Sequence, residues 1–436
     1  MNEGMKPNIS QLTNVFARIG LLSFGGPAGQ IAMMHKELVE NLKWIDEDDF
    51  LHALNFCHLL PGPEAQQLAT YIGWKLHGFK GGLIAGLLFI IPGALVILAL
   101  SIIYSYAAHL ELFNSIFLGI KAAVLAIVFE ALLRISKRSL NTSFKYYIAF
   151  FSFLGLFVFN IKFPIIILFA GLIGIFVSKF KPELLVIKNI EDKQISYSKP
   201  KISNSIKTFS IWLLIWVLPF LILFSIGLKD SQFWEIGKFF SKLAIVTFGG
   251  AYAVLSYMTQ EAVQHYNWLS AGEMADGLGL AETTPGPLIL VAQYVGYLAG
   301  FRNAMPFSPL LGGLIGASIT LWVTFVPCFA WIFTFAPWVE HLQKIKAIKG
   351  GLATITAAIV GVIANLTIWF SIHVLFKNIS KFEFGFIKID IPKLQSVDLI
   401  VLTIGILSFY LLFKQKLGIM KLLGICALLG GLSSFL

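Results

Sequence analysis

The 436-residue sequence carries a net charge of +10, yet charged residues make up only 13% of it and hydrophobic residues 57%. Soluble domains contain about 25% charged residues, so this composition excludes an ordinary soluble protein and predicts a chain that lies within a lipid bilayer. The basic residues stand in short stretches between apolar runs, which is typical of cytoplasmic loops and argues against a nucleic-acid-binding protein.

Apolar runs long enough for membrane-spanning helices begin after residue 80. A hydrocarbon core of about 30 Å requires about 20 helical residues, and no run shows the apolar–polar alternation of barrel strands. We therefore predict an all-α polytopic membrane protein. The predicted spans are, in chain order, 81–108, 113–133, 146–161, 163–178, 208–228, 303–339, 350–376, 399–413 and 417–436.

The charges of the connecting segments predict an orientation. Residues 134–145 are rich in Arg and Lys, and residues 179–207 are rich in Lys. Because basic loops stay in the cytoplasm, we expect both segments and the N-terminus to be cytoplasmic and Lys162 to be external. The predicted location is the bacterial inner (plasma) membrane, with multiple passes.

The chain repeats itself at one constant spacing. Phe16 corresponds to Phe240, and Phe24-Gly25-Gly26 corresponds to Phe248-Gly249-Gly250. At the same spacing, Pro61-Gly62-Pro63 corresponds to Pro285-Gly286-Pro287. Five predicted spans separate the two motif regions, 16–75 and 240–300. Because five is odd, the second half should be inverted in the membrane, which is a recurring plan among secondary transporters.

The two motif regions are less apolar than the spans and contain Gly and Pro where a continuous helix would not. We expect helices to break at Leu60-Pro61-Gly62-Pro63 and Thr284-Pro285-Gly286-Pro287, either re-entering or spanning the membrane. Pro63 and Pro287 suit the first turn of a new helix, whose free N–H groups favour an anion. Phe24-Gly25-Gly26 and Phe248-Gly249-Gly250 are further candidates for lining this site. The alternative is that these glycines only permit close helix packing.

Ionisable residues near these motifs are candidates for electrostatic or coupling roles. Arg18 and Lys242 correspond in the repeat, and Lys121 lies inside an apolar run. Positive charge would offset the desolvation of an anion, although Arg18 and Lys242 could equally extend to the membrane interface. Glu64 and Glu282 flank the Pro-Gly-Pro motifs, so either carboxylate could couple proton movement to anion movement or serve only in capping and packing.

These motifs resemble the chromate ion transporter family in its long, two-domain form. The first half contributes Phe24-Gly25-Gly26-Pro27 and Leu60-Pro61-Gly62-Pro63-Glu64, and the second half contributes Thr247-Phe248-Gly249-Gly250 and Thr284-Pro285-Gly286-Pro287. The resemblance covers nearly the whole chain. It implies export of chromate coupled to the proton-motive force, chromate resistance, sulfate as a structural mimic and no enzymatic step.

The predicted organisation has three parts. Residues 1–180 form the first half, 181–232 a basic linker with a connecting transmembrane helix, and 233–436 the second half. We expect no metal or cofactor, because the three cysteines are scattered and no hydrolase or nucleotide-binding motif is present. The expected partners are chromate or sulfate, protons and lipid, and a homo-oligomer is left open. Sulfate transport, in either direction, and a non-transporting scaffold or sensor remain alternatives.

Overall fold

A computed structural model of the protein describes residues 7–24, 26–185, 200–248, 251–385 and 387–435. It confirms an all-α membrane protein. The helices are α1 Ile9–Leu22, α2 Gly26–His35, α3 Glu47–Cys57, α4 Glu64–Ala107, α5 Glu111–Ser139, α6 Ser143–Phe157, α7 Phe163–Phe180, α8 Ile202–Ser225, α9 Gln232–Val246, α10 Ala251–Thr259, α11 Ala271–Thr283, α12 Val291–Arg302, α13 Pro309–Phe335, α14 Val339–Lys344, α15 Lys346–Leu375, α16 Leu399–Phe409 and α17 Ile419–Ser433.

Helices α4, α5, α7, α8, α13 and α15 are each long and apolar enough to cross a membrane. Large apolar side chains point outward from them and from α6, among them Phe151, Leu168 and Leu214, each at least 60% exposed. In water such a surface would aggregate, whereas lipid covers it at no cost. Each predicted span after residue 80 overlaps a helix of the structure. The longest of them, 303–339, contains α13.

The first motif region, residues 16–75, begins and ends at the same side of the molecule, which we call face I. Three contacts at this face join residues that are distant in sequence. Arg18 pairs with Glu37, Lys75 Nζ lies 2.6 Å from Asp49 Oδ2, and the His77 ring contacts the carbonyl of residue 7. Helices α1 and α2 therefore form one re-entrant hairpin.

Helix α3 and the first arm of α4 form the second re-entrant hairpin at face I. The helix α4 itself folds back at His77 and Gly78, where the backbone leaves helical geometry and Gly78 has φ +59°. Its two arms then pack side by side, because a Cβ on Gly73 or on Gly81 would collide with the backbone carbonyl of the other. Small residues permit this close approach within a membrane.

The second motif region repeats this arrangement at the opposite side, face II. Gln260 Nε2 donates to Asn160 Oδ1 at 2.8 Å, in the turn between α6 and α7. Arg302 Nη1 donates to the Trp268 carbonyl at 2.7 Å, and its guanidinium also pairs with Glu273. The two motif regions thus turn back at opposite faces of the molecule, which agrees with an inverted repeat.

The two halves exchange helices. In the first exchange, α15 of the second half packs between α6 and α7 of the first half, where Thr354 Oγ1 donates to the Ala170 carbonyl at 2.7 Å. In the second, α5 of the first half packs against α16 and α17, and Gly119 lies directly against the Cys426 carbonyl. The hydrophobic core is therefore built from both halves at once.

Helix α8 connects the halves and lies on the outside of α13. Two indole groups hold it there by hydrogen bonds: Trp216 Nε1 donates to the Val323 carbonyl at 3.0 Å, and Trp322 Nε1 donates to the Ile215 carbonyl at 2.8 Å.

The sequence analysis did not predict one feature, an antiparallel hairpin of β1 Ile379–Phe384 and β2 Ile387–Pro392 at face II. Its alternating apolar residues around Gly385 are the signal that could have identified it.

Candidate functional site

The two Pro-Gly-Pro loops lie at the inner ends of the re-entrant hairpins. Gly62 has φ +123° and Gly286 has φ +86°, conformations that L side chains rarely adopt. Pro63 occupies the N-cap of α4, and Pro287 the N-cap of a 3₁₀ turn that leads into α12. Each proline therefore stands just before the new helix, one position earlier than the first turn that the sequence suggested.

Each loop is hydrogen-bonded to the other half of the protein. The Gly62 N–H donates to the Thr247 carbonyl at 2.8 Å, and the Gly286 N–H donates to the Ser23 carbonyl at 2.9 Å. Ser23 and Thr247 are themselves equivalent positions of the repeat, immediately before Phe24 and Phe248. The two Pro-Gly-Pro loops are thus locked reciprocally, and their glycine N–H groups are not free to bind a ligand.

Each loop also contacts a proline-containing stretch of the opposite half. A Cβ on Gly62 would lie 3.0 Å from Cys328 Sγ, next to Pro327 in α13. A Cβ on Gly93, next to Pro92 in α4, would collide with the Pro285 carbonyl. The second arm of α4 and the helix α13 therefore bracket the two loops, and the four segments meet at one centre.

Backbone donors remain at the start of α4. The first N–H groups of a helix have no intrahelical acceptor, and Pro63 supplies no side-chain cap. Glu64 is the first residue of this turn and is half-buried. Free N–H groups with the positive end of a helix dipole suit a tetrahedral oxyanion, as the sequence suggested.

Three buried glutamines surround this centre, and the sequence analysis missed them. Gln30 Nε2 donates to the Gly286 carbonyl at 2.6 Å, Gln67 Nε2 donates to the Pro61 carbonyl at 2.7 Å, and Gln66 Nε2 donates to Thr70 Oγ1 at 2.9 Å. Their Oε1 atoms are buried without a hydrogen-bond partner among the described residues. Amides within an otherwise apolar re-entrant region are the signal that could have identified them.

The Phe-Gly-Gly segments lie close to the same centre. Gly26 has φ +70° and begins α2, and the nearest group to its Cβ position is Tyr252 Oη at 4.0 Å. Tyr252 belongs to the equivalent turn of the second half. Phe24 and Phe248 are half-buried. The predicted site residues Gly25, Gly249 and Gly250 lie outside the described residues.

Glu282 is the buried carboxyl nearest to the second loop. It lies in the last turn of α11, one residue before Thr283. Tyr252 Oη donates to its Oε1 at 2.8 Å, whereas its Oε2 is buried without a partner in the described part of the chain. A carboxyl with one unpaired oxygen in this position is able to hold a proton.

Arg18 and Lys242 make their described contacts away from the loops. The Arg18 side chain is 55% exposed and pairs with Glu37 at face I. The Lys242 ammonium lies 5.8 Å from the centroid of the Tyr257 ring. The two residues correspond in the repeat but have different partners, so the structure does not bring them together with Gly62 or Gly286.

Lys121 forms an ion pair that the sequence did not reveal. Its Nζ lies 3.1 Å from Asp276 Oδ1, and Tyr104 Oη donates to Asp276 Oδ2 at 2.7 Å. The pair joins α5 of the first half to α11 of the second. Asp276 lies on the same helix as Glu273, and the sequence analysis singled out neither residue. The lone Lys121 inside a span was the signal that a partner had to exist.

Among the described residues, no group of three or more His, Cys, Asp or Glu side chains could hold a metal ion. Cys57, Cys328 and Cys426 are all buried and free. What the centre offers instead is backbone N–H groups, amides and a few buried charges. Such donors are suited to a small polar ion, through hydrogen bonds and charge.

Comparison with known proteins identifies relatives over most of the chain. The chain is 28% identical over 376 residues to an uncharacterized transporter of Methanocaldococcus jannaschii, covering 86% of this chain and 87% of the relative. It is 26% identical to a probable chromate transport protein of Synechococcus elongatus, covering 83% and 84%. It is 27% identical to the chromate transport protein of Cupriavidus metallidurans, covering 83% and 82%. No solved structure matches the chain.

The family model for chromate transporters matches in two separate regions, residues 10–175 and 234–431. These regions contain both sets of re-entrant hairpins and both Pro-Gly-Pro loops. The match covers well over half of the chain and is supported by relatives of nearly equal length. The protein belongs to the chromate transporter family.

Proposed function

We propose that this protein exports chromate across the plasma membrane as a secondary transporter coupled to the proton-motive force, and thereby confers chromate resistance. The observation that carries the proposal is the meeting of two inverted re-entrant regions at one centre, through the hydrogen bonds of Gly62 to Thr247 and of Gly286 to Ser23. Inverted halves around a central site suit alternating access, because each half can open toward its own face.

The proposed substrate site lies at the start of α4 and the adjoining Phe-Gly-Gly turns. Its donors are the free N–H groups of residues 64–66, helped by the amides of Gln30 and Gln67. An amide can present either its oxygen or its NH₂ group, so these side chains are able to turn toward an anion. The predicted binding residues Phe24, Gly26 and Thr284 surround the same centre, as do the two Pro-Gly-Pro motifs.

Coupling to protons requires a group that changes its charge in or near the site. Glu282, with its unpaired Oε2, and Glu64, at the helix start, are the carboxyl groups closest to the loops. An ionised carboxylate repels an anion, and protonation removes that repulsion. A carboxyl group that changes its charge at this place would link the movement of protons to that of the anion.

Sulfate is the second candidate substrate. Sulfate and chromate are both tetrahedral dianions, so N–H donors and amides distinguish them poorly. A non-transporting scaffold or sensor is the alternative from another class. It predicts that changes at Gly62 alter partner binding and leave anion flux intact.

The proposed orientation places face I in the cytoplasm. Face I carries Arg134, Lys137, Arg138 and the start of the lysine-rich linker, whereas the turn at Lys162 is at face II. We also propose that residues 1–180 and 233–436 are the two transport halves, with 181–232 as the connection between them.

The test is chromate flux in everted membrane vesicles. Expected results are chromate accumulation that an uncoupler abolishes, that sulfate inhibits, and that Gly62→Ala and Gly286→Ala each reduce. Gly405→Ala is the matched control, because Gly405 is helical and its Cβ position is open. Transport of sulfate but not chromate would select the second candidate, and movement of neither anion would refute the oxyanion site.

A further inference from the structure

The ion pair between Lys121 and Asp276 lies outside the residues proposed to bind the substrate. Asp276 is nearly buried, with 7% of its side chain exposed, and Lys121 is 23% exposed. Three helices from both halves converge on this pair: Lys121 lies on α5, Asp276 on α11, and Tyr104 on the second arm of α4. We define these three residues as the Lys121 cluster.

A merely structural role does not account for the Lys121 cluster. Burying two charges costs desolvation free energy, and apolar residues of similar volume usually replace such pairs without loss of stability. Helices α5 and α11 already pack closely without it, because the Cβ position of Gly279 lies against Ile120. Charged residues retained inside a membrane commonly mark ion pathways.

The cluster also departs from the repeat. At the repeat spacing of the motifs, His52 corresponds to Asp276. The second arm of α4 aligns with α13 through Gly81-Gly82-Leu83-Ile84 and Gly312-Gly313-Leu314-Ile315, and in this alignment Phe335 corresponds to Tyr104. The reciprocal bonds of the Pro-Gly-Pro loops, in contrast, are present in both halves. The loop bonds are therefore common to both halves, whereas the residue types of the Lys121 cluster differ from those at the equivalent positions of the repeat.

Its position connects the cluster to the proposed substrate site. Asp276 lies about two helical turns before the end of α11, which runs directly into Thr284 and the second Pro-Gly-Pro loop. Lys121 is the partly exposed member of the pair. A change of partner at Lys121 would therefore alter how α11 is held, and with it the loop.

We propose that Lys121 exchanges its partner between Asp276 and the transported oxyanion. When the anion approaches, the ammonium of Lys121 turns to it and remains protonated. Asp276 then loses its counter-charge and takes one proton from the water that accompanies the anion, and so becomes a neutral carboxylic acid. The proposal rests on the proposed function, and it makes Asp276 the place where a proton and the anion are linked.

The linkage has a definite sign. Because the anion draws Lys121 away, it raises the affinity of Asp276 for a proton, and by reciprocity a proton on Asp276 raises the affinity for the anion. Anion affinity should therefore weaken as pH rises, by no more than about tenfold per pH unit for one proton. The other titratable groups that face Asp276 are Tyr104 on α4, Tyr294 on α12, and Glu273 on its own helix with Arg302 as partner.

The experiment measures proton uptake when the purified protein binds chromate or sulfate in weakly buffered detergent solution, with a pH-indicating dye. The wild-type protein should take up protons on binding, and Asp276→Asn should take up fewer while still binding the anion. Lys121→Gln should bind the anion at least about tenfold more weakly, because it lacks a charged contact. If Asp276→Asn does not fold, the doubly neutral variant Lys121→Gln/Asp276→Asn replaces it and should also show reduced uptake.

Glu235→Gln is the matched control, since Glu235 and Lys238 form an exposed pair of 3.0 Å on α9. This variant should take up as many protons as the wild type. Equal proton uptake by wild type and Asp276→Asn, or none by the wild type despite anion binding, would overturn the partner exchange. A wild-type protein that binds neither anion would instead refute the proposed function.

Discussion

Replacing Gly62 by alanine tests whether the reciprocal lock of the two halves is needed for transport. Gly62 has φ +123°, and a Cβ there would lie 2.8 Å from Gln67 Nε2 and 3.0 Å from Cys328 Sγ. A non-glycine residue in such a backbone conformation costs about 1–3 kcal/mol. Displacing the loop also breaks the 2.8 Å hydrogen bond to Thr247, a further loss of about 1 kcal/mol.

Together these effects destabilise the locked arrangement by about 2–4 kcal/mol, which corresponds to a factor of at least about thirty in its population relative to an unlocked one. We expect Gly62→Ala to lower the chromate flux in everted vesicles at least tenfold and to lower the melting temperature in detergent. Gly405→Ala should leave the flux unchanged and stabilise its helix slightly, because that site is open.

A second variant separates backbone strain from crowding. Cys328→Ala removes the Sγ atom that faces Gly62 but does not change the φ angle of Gly62. We therefore expect Gly62→Ala/Cys328→Ala to remain impaired. Full recovery would show that crowding alone matters, and a Gly62→Ala variant that melts and transports like the wild type would refute the lock itself.

Three further predictions concern topology, energetics and packing. A cysteine in place of Lys162 should react with a membrane-impermeant maleimide in intact cells, and one in place of Lys137 only after permeabilisation; the reverse pattern would contradict the orientation. If one proton accompanies a dianion, the transported charge is negative and the membrane potential drives uptake. Valinomycin with K⁺, which collapses the potential, should then abolish chromate uptake by everted vesicles, and nigericin, which collapses the pH gradient, should not reduce it. Inhibition by nigericin would indicate antiport with protons. Gly93→Ala should reduce flux, since its Cβ would collide with the Pro285 carbonyl; normal flux and melting would show that the loop can shift.

The helices could be predicted because their physical cause is local. Runs without charge can only be stable in lipid, and there a helix satisfies its own backbone. The re-entry of the motif regions could not be predicted, because crossing twice and returning both preserve the inversion. That choice depends on the turn at His77 and Gly78 and on the packing of Gly73 against Gly81, a tertiary contact with no sequence signature of its own.

The candidate site was predictable only in part. The Pro-Gly-Pro motifs identified where helices break, but not that Gly62 and Gly286 would donate to the opposite half. Lys121 was recognised as unusual, whereas its partner Asp276 was missed because it follows Glu273 in a segment of ordinary polarity. The roles of the predicted binding residues stay predictions, since they concern a ligand rather than the fold.

The exchange of helices between the halves has a consequence for biosynthesis. Helix α5 is inserted early, yet its neighbours α16 and α17 leave the ribosome only after all the helices between them. Until then the small-residue surface around Gly119 faces lipid or an insertion factor instead of the Cys426 backbone. The nascent chain must therefore persist as an incomplete bundle. Loss of α17 would leave the surface of α5 around Gly119 uncovered, and we expect quality-control proteases to degrade such a chain.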